Sequence, residues 1–404
     1  MKSFKVLMIA FFVFAVITGQ VSAGSINKDL KISGEYELDY VYDDTSMEDE
    51  DDNEESFIEH ELDLEFELGI AENVLVGGAM EYADSTLGED DHALDKDNGI
   101  DVEEAYIEAK FQGVTFTGGK FGFDLPAAFD GSMILDVDSA TGVDFDFGMV
   151  SVGMLRAKDY EGDKDIDDKT DIFYAMGEIK SGNMKFGPYV AVETRGENGD
   201  GNYDDATDDG YTSFWLGSAF EMETGFLVIL GDFVYGTKSY SKDYTGKDQS
   251  GFFMDIAAEM DMGNMTPTAF LIYSSGNDDD ADEHETIPTI ATDYEPLNIF
   301  GDANGDIDFM NGLTGIGLGI NDMNFAPKLK HDLVFFYARG NNDENSGQFF
   351  TEDDTAMEID FNSVYEVMDD FEIYANLGYS SIDLDRDFDD EAGTYMEIGM
   401  EVNF

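Results

Sequence analysis

Apolar and polar residues alternate one by one along the chain between Lys28 and Tyr82. Successive side chains of a β-strand point to opposite faces, whereas a helix repeats its apolar positions every three or four residues. Two alternating runs are separated by an acidic stretch at 43–56, and a third run follows the short connection 71–73. The pattern predicts three consecutive strands, each with one apolar face and one more polar face.

The last twelve residues, 393–404, carry the same alternation to the end of the chain. The apolar face holds Met396, Ile398, Met400, Val402 and Phe404. An exposed apolar strand would promote aggregation of a soluble protein, but it suits a strand that faces lipid and closes a barrel. The order of residues up to Phe404 also resembles the C-terminal signal by which bacterial outer-membrane barrels are recognised for assembly.

Long polar loops and tight turns follow each other along the whole sequence. The long loops are predicted at 43–56, 84–99, 122–141, 157–169, 195–210, 237–249, 274–308, 341–354 and 384–392. The tight turns are predicted near 71–73, 112–113, 148, 181–183, 223–225, 263–264, 321–327 and 368–370. Long loops on one side and short turns on the other are typical of outer-membrane barrels. We therefore predict an all-β fold, a transmembrane antiparallel β-barrel of 16–18 strands, with eighteen in this count and sixteen if the segments around 148 or 309–340 are not strand pairs.

The alternation is weaker in the segments 100–121, 170–193 and 211–234, where small and apolar residues occur on both faces. A wall segment that faces another protomer can carry such mixed faces. This pattern favours an oligomer.

The N-terminus has the features of a secretory signal peptide. Lys2 and Lys5 precede an apolar run from Val6 to Ile17, and Ala23 ends a small-residue cleavage site. The run is too short for a membrane-spanning helix, which needs about 20 apolar residues. We predict that residues 1–23 are cleaved and that 24–404 form one barrel located in the bacterial outer membrane.

The composition excludes some partners and some kinds of site. The formal net charge is −70, so a nucleic-acid partner, which requires a basic surface, is excluded. There is no cysteine and therefore no disulfide or thiolate metal site. The four histidines form no His-x-x-x-His zinc motif, and no phosphate-binding glycine loop is present, so we do not expect an enzyme.

Residues 102–141 carry a family resemblance. Ala105-Tyr106-Ile107 is followed by Gly122 with Leu125-Pro126, and then by Gly131-Ser132-x-x-Leu135-Asp136. This order resembles the outer-membrane homotrimeric porins of sulfate-reducing, Desulfovibrio-type bacteria. The resemblance implies a homotrimeric diffusion channel that needs no cofactor. That family is linked to anion uptake, whereas the acidity of this chain favours cations.

The loop at 122–141 is the best candidate to fold inward and narrow the channel. It is unusually apolar for a loop, and it carries the carboxylates of Asp124, Asp130, Asp136 and Asp138. Packed against the inner wall, it would set both the diameter and the charge selectivity of the pore. The alternative is a loop that is buried at a subunit contact.

Basic residues are scarce, and six of them lie on predicted strands or at strand ends: Lys110, Lys120, Arg156, Lys185, Arg195 and Arg339. Facing the loop acids, they would create a transverse field across the constriction. The alternative is that they neutralise neighbouring carboxylates. The face assigned to the lumen carries two acidic rows, Glu35, Glu37 and Asp39 on one strand and Glu59, Glu61, Asp63, Glu65 and Glu67 on the next. Carboxylates this close repel one another, and an open, water-filled lumen accommodates them better than a packed core.

A calcium site is a further hypothesis. Asp302, Asn304, Asp306 and Asp308 offer alternate oxygen ligands, but Ile307 replaces the glycine of an EF-hand loop and Leu313 replaces its glutamate. Loose binding of Ca²⁺ or Mg²⁺ by the acidic loops would also suit a surface bridged to lipopolysaccharide.

The sequence thus predicts an outer-membrane porin for small hydrophilic solutes and ions, with a preference for cations. Two alternatives stay open at this point. One is a closed structural or adhesive barrel with calcium-binding acidic loops, and the other is a secreted acidic β-solenoid, which the lack of a short repeat disfavours.

Overall fold

A computed structural model of the protein shows a barrel wall of antiparallel strands. The structure describes residues 30–44, 55–82, 102–157, 170–195, 210–240, 247–278, 283–292, 294–300, 309–344, 346, 348, 350–384 and 391–404. The first half of the wall comprises β1 (Leu30–Asp44), β2 (Glu55–Ala71), β3 (Val74–Tyr82), β4 (Ala105–Phe111), β5 (Val114–Asp124), β6 (Asp136–Asp146), β7 (Val150–Ala157), β8 (Thr170–Gly177) and β9 (Ile179–Ser181). The second half comprises β10 (Met184–Arg195), β11 (Tyr211–Thr224), β12 (Leu227–Tyr240), β13 (Gln249–Met260), β14 (Thr266–Ser274), β15 (Leu313–Asn321), β16 (Leu329–Gly340), β17 (Thr355–Met368), β18 (Phe371–Asp383) and β19 (Glu391–Asn403).

These segments close into a barrel of eighteen strands. β8 and β9 both pair with β10 and are separated only by Glu178, so they are two parts of one wall strand. β1 pairs with both β2 and β19, which closes the wall. The predicted barrel and the count of eighteen are confirmed. No helix among the described residues is long and apolar enough to cross a membrane.

Alternation along each strand separates an outward apolar surface from the interior. On β15, Ile316 is 51% exposed and Leu318 is 58% exposed, while the glycines that alternate with them lie on the inner face. On β17, Ile359 points outward and Glu358 and Asp360 are buried inside. Tight turns use left-handed residues such as Gly182 (φ 65°) and Gly225 (φ 70°), a conformation that glycine adopts without steric cost.

Two long loops fold into the barrel. Loop L3 (residues 125–135) joins β5 to β6, and loop L7 (residues 275–312) joins β14 to β15. Leu125 and Ile134 of L3 are fully buried, and Phe300 and Phe309 of L7 are nearly so. They belong to one hydrophobic cluster with inward residues of the wall, and we call this cluster the inner core.

The inner core explains the mixed faces in the middle of the sequence. Ile172, Ala191 and Trp215 point inward and are buried in the cluster with L3 and L7, while Phe173, Phe214 and Leu216 face outward. The indole N–H of Trp215 donates to the carbonyl oxygen of Pro288 in L7 at 2.6 Å. Apolar residues on both faces therefore reflect a filled interior, and the oligomer inferred from this pattern loses its basis.

Candidate functional site: an acidic wall and an inward loop pair

A row of glutamates crosses five adjacent strands on the inner face of the barrel. The cross-strand partners are Glu366 with Glu372, Glu372 with Glu401, Glu401 with Glu37, and Glu37 with Glu61. Each glutamate therefore lies directly opposite the next one. We call the inner face of β17–β19 and β1–β3 around this row the acidic wall.

The acidic wall contains all eight carboxylates that the sequence assigns to the lumen. Glu35 pairs with Asp63, Glu37 with Glu61 and Asp39 with Glu59. Glu65 and Glu67 continue the row on β2 opposite Ser33 and Lys31. The two acidic strands are thus neighbours in register, so their charges lie at the distance of directly paired side chains.

The carboxylates of the acidic wall are tightly grouped. Oxygen atoms of Glu35, Glu37 and Glu401 lie within 4.8 Å of one another. Lys31 and Lys328 lie at the turn-side edge of the wall and form ion pairs of 2.9 Å with Glu67 and 3.0 Å with Glu366. Like charges at such distances produce a strong negative potential in the lumen.

Neutral hydrogen-bond donors support parts of this wall. The hydroxyl of Tyr374 donates to the Asp39 carboxylate, and the Asn376 amide donates to Glu397 at 2.7 Å. These donors fix two carboxylates without cancelling their charge.

Loop L3 is held by a carboxylate of the wall. The backbone N–H groups of Ala128 and Phe129 donate to Asp232 at 2.9 and 3.1 Å. Asp232 is 1% exposed and lies on β12, and its own N–H donates to Asp255 at 3.0 Å. An anionic acceptor for two backbone donors is a strong anchor, because hydrogen bonds to charged groups are stronger than neutral ones.

Loop L7 is held in the same way. The N–H groups of Ile299 and Phe300 donate to Glu358 at 2.7 and 2.9 Å, and Glu358 is fully buried. Sequence reasoning missed both anchors, Asp232 and Glu358. The available signal was an acid on the inward face of a strand among apolar neighbours.

L3 and L7 also bind each other. The N–H groups of Ile290 and Ala291 in L7 both donate to the carbonyl of Ile134 in L3, at 3.0 and 3.2 Å. The pair therefore forms one body that is fixed to the wall on both sides.

The four loop acids have different surroundings. Asp124 lines an open cavity of about 530 Å³ together with Ala127, Lys185 and Glu221, which we call the Lys185 cavity. Asp136 pairs with Asp124 where β5 and β6 enter the loop. The side chain of Asp138 lies outside the described residues.

Asp130 lies in a second cavity of about 380 Å³ beneath L3 and L7. Burial, and after it the charge of nearby Glu259, raise the pKa of Asp130 to about 6. This carboxylate therefore changes its charge near neutral pH.

The six basic candidates divide by the face on which they lie. Lys185 points inward and forms an ion pair of 2.5 Å with Glu221. Lys110 also points inward, 3.0 Å from Glu108, and Arg195 lies inward near the loop end of β10. Lys185 and Lys110 thus neutralise neighbouring acids.

The other three basic candidates do not line the channel. Arg156 lies on the outward register of β7 and bonds Asp171 at 2.7 Å. The side chain of Lys120 also faces outward, and it donates a hydrogen bond to the carbonyl of Val102. The side chain of Arg339 faces outward as well and donates to the carbonyl of Glu352 at 2.5 Å. Placing these three in the pore was wrong, because their strand positions alternate with inward residues.

A basic residue that the sequence analysis missed is Lys238. It lies on the inner face of β12, with its Nζ 3.9 Å from the ring centroid of Tyr211 and 5.5 Å from that of Tyr240. The predicted calcium ligands Asp302, Asn304, Asp306 and Asp308 lie outside the described residues, as does the predicted signal peptide 1–23.

Solved structures of bacterial outer-membrane channels share this fold. OccAB1 of Acinetobacter baumannii aligns with a TM-score of 0.63 and 12% identity, over 95% of this chain and 99% of that chain. OccK8 (OprE) of Pseudomonas aeruginosa aligns with a TM-score of 0.61 and 12% identity, over 95% and 99%. The outer membrane protein OprD from Pseudomonas aeruginosa aligns with a TM-score of 0.58 and 13% identity, over 95% and 96%.

At the level of sequence, no family model and no curated protein matches the chain. These neighbours are named as Occ and OprD proteins, and their likeness shows the fold and gives no support to the homotrimer implied by the resemblance. Their likeness also leaves the attribution to Desulfovibrio-type porins unconfirmed. The chain has the closed barrel fold of Gram-negative outer-membrane porins.

Proposed function

We propose that the protein is an outer-membrane porin, a passive channel that favours cations among small hydrophilic solutes. The row of five directly paired glutamates on the acidic wall carries this proposal. The fold supports the channel, and the structural neighbours are porins and not enzymes.

The acidic wall gives a physical basis for selection. At a separation of about 4 Å, a monovalent cation is attracted to one carboxylate by about 1 kcal/mol even in bulk water. That energy enriches cations about fivefold near a single carboxylate, and it repels anions by a similar factor. Several carboxylates in one row act on the same ion as it passes.

The inward loop pair supplies the narrowing. L3 and L7 occupy the interior beside strands β7–β17, where they pack into the inner core. The acidic wall lies on the side of the interior that the inner core does not cover. Solutes passing along it would meet the carboxylates of Glu37, Glu61 and Glu401.

The test is the current through single channels of the detergent-purified protein in a planar bilayer with a KCl gradient. We expect steady current steps and a reversal potential of the sign set by K⁺ permeation. A reversal potential of the opposite sign would show that Lys185, Arg195 and Lys238 control the permeating ion. Absence of current from correctly folded protein would instead favour the closed structural barrel.

The oligomeric state is a separate prediction that follows from the sequence resemblance. Light scattering of the protein in detergent measures the protein mass of the complex. The mass of three chains would support the homotrimer, and the mass of one chain would exclude it.

A further inference from the structure

Lysines and arginines of the wall differ in how they are neutralised, depending on the end of the barrel at which they lie. Near the tight turns, six lysines each form an ion pair of 2.5–4.0 Å with an acid: Lys31, Lys110, Lys180, Lys185, Lys328 and Lys330. On the outward face near the long loops, Lys120 and Arg339 instead bond backbone carbonyls, and neither forms an ion pair with a described residue. A cation left unpaired in a chain with 91 acidic residues favours a counter-ion from outside the chain.

Lys120 lies in a polar row on the outward face of the wall. The row follows paired positions across the strands from β5 to β12: Lys120, Thr141, Arg156, Asp171, Thr194, Thr212 and Ser239. The next outward row towards the turns is apolar and consists, from β6 to β11, of Val143, Met154, Phe173, Val192 and Phe214. The polar row therefore marks the loop-side edge of the apolar band, where the headgroups of the outer leaflet begin.

Lys120 and Arg156 flank Thr141 in this row. Neighbouring strands lie about 4.8 Å apart, so the backbones of the two cations are about 10 Å apart and their long side chains can reach one ligand between them. Lys120 uses one N–H for the carbonyl of Val102, which leaves two. Arg156 uses its Nε and one Nη for the same oxygen of Asp171, at 2.8 and 2.7 Å, and its other N–H donors remain available.

We propose that Lys120, Thr141 and Arg156 bind a phosphate group on the sugar headgroup of an outer-leaflet glycolipid such as lipopolysaccharide. We call these three residues the outer-rim site. A guanidinium matches a phosphate through paired, planar hydrogen bonds, and an ammonium adds a point charge. The hydroxyl of exposed Thr141 supplies a donor between them. A phosphate monoester carries up to about two negative charges, which the two cations balance.

The apolar residues beneath the outer-rim site favour a lipid over a soluble phosphate. Val143 is 38% exposed, Phe145 is 40% exposed and Phe173 is 45% exposed, and all three lie on the outward face on the turn side of the polar row. The acyl chains of a lipid whose headgroup is bound above would cover this surface. A charged edge above an apolar surface matches an amphipathic ligand.

Asp171 shares Arg156 with the ligand. It is the cross-strand partner of Arg156 in the polar row, and its side chain is 25% exposed. Its carboxylate orients the guanidinium but repels a phosphate. Asp171→Asn should therefore tighten lipid binding, whereas a purely structural role of Arg156 predicts no such gain.

The experiment is native mass spectrometry of the detergent-purified protein, freed of copurified lipid and titrated with diphosphoryl lipid A. We expect Lys120→Gln and Arg156→Gln each to weaken the tightest binding step by about 10-fold, the effect of losing one charge-assisted hydrogen bond. Lipid A without phosphates should bind the wild type as weakly as diphosphoryl lipid A binds the double variant. Inorganic phosphate at the same concentration should not compete, because it lacks the acyl chains.

Two controls separate the outer-rim site from charge in general. Lys180→Gln with Lys330→Gln removes two exposed cations at the turns and should leave the binding step unchanged. Arg339→Gln removes a single outward cation near the long loops and should change it little. A loss in Arg339→Gln as large as in Arg156→Gln would show that the lipid recognises outward charge and not this site.

Thermal melting without lipid checks that the variants are folded, since the substituted side chains lie on the surface of the barrel. Arg156→Lys keeps the charge and should retain more binding than Arg156→Gln. Equal affinity of the wild type and the double variant for diphosphoryl lipid A would overturn the proposal. Competition by inorganic phosphate would overturn the choice of a lipid.

Discussion

The two sides of the barrel interior solve opposite problems with the same residue type. Beside β7–β17, buried carboxylates such as Asp232 and Glu358 accept backbone N–H groups from the loops and serve as anchors. On the acidic wall, carboxylates such as Glu37 and Glu61 face each other across neighbouring strands. The comparison teaches that an inward acid on a barrel strand is structural where a loop packs against it and electrostatic where the lumen is open.

Removing an anchor should have the largest effect. Asp232→Ala leaves the N–H groups of Ala128 and Phe129 without their acceptor, so we expect a loss of about 2–4 kcal/mol in stability. L3 would no longer be fixed, so the single-channel conductance should rise and become noisier. Thermal melting in detergent and bilayer recordings measure both effects.

The matched control is Asp144→Ala on β6. Asp144 also points inward, but it accepts a hydrogen bond of 2.6 Å from the hydroxyl of Tyr174 and not from a loop backbone. We expect some loss of stability and no rise in conductance. A rise of equal size in both variants would show that L3 does not depend on Asp232.

Neutralising the acidic wall should have the next largest effect, on selectivity and not on stability. With Glu37, Glu61 and Glu401 all changed to glutamine, the K⁺ over Cl⁻ permeability ratio should fall about fivefold or more, since each carboxylate contributes about 1 kcal/mol at close range. The reversal potential in a KCl gradient reports the ratio. A triple change of Glu72, Asp261 and Asp369, which are exposed in turns, removes the same charge and should alter the ratio little.

A smaller effect is expected from bulk added to L3. Ala127 lines the Lys185 cavity, so Ala127→Trp should reduce the conductance if ions pass beside the loop. Ala105→Trp adds the same side chain on the outward face of β4 and should leave the conductance unchanged. An unchanged conductance in both variants would exclude L3 from the narrowest part of the path.

The smallest effect concerns pH. Because the pKa of Asp130 is raised to about 6, its charge is lost as the pH falls through 6, and its cost to folding is full above that value and absent below the ordinary pKa near 4. We expect Asp130→Asn to raise the melting temperature relative to wild type at pH 8 and to have little effect at pH 4. Equal shifts at the two pH values would contradict a raised pKa.

Local patterns were sufficient to predict the wall. Strand alternation depends on side-chain direction, which each residue sets with its immediate neighbours, and the rows from Glu35 to Asp39 and from Glu59 to Glu67 share one face of two paired strands. The faces of Lys120, Arg156 and Arg339 were not deduced, because glycine-rich or mixed strands carry no clear apolar row from which to count.

The anchors could not be predicted, because they depend on contacts between distant segments. Asp232 and Ala128 are 104 positions apart, and no spacing in the sequence links them. The inward position of L7 could have been inferred, since Ile287, Leu297 and Phe300 make it as apolar as L3. The segment was instead considered only for its calcium-like acids, which lie outside the described residues.

The form of the anchors has a consequence for how such a channel can diversify. Asp232 and Glu358 hold main-chain N–H groups, which every residue except proline provides. Side chains of L3 and L7 that face the lumen, such as Ala127, can therefore be exchanged without detaching the loops. Variation in pore size and solute preference is thus uncoupled from loss of the fold, and a lineage can change what the channel admits one substitution at a time.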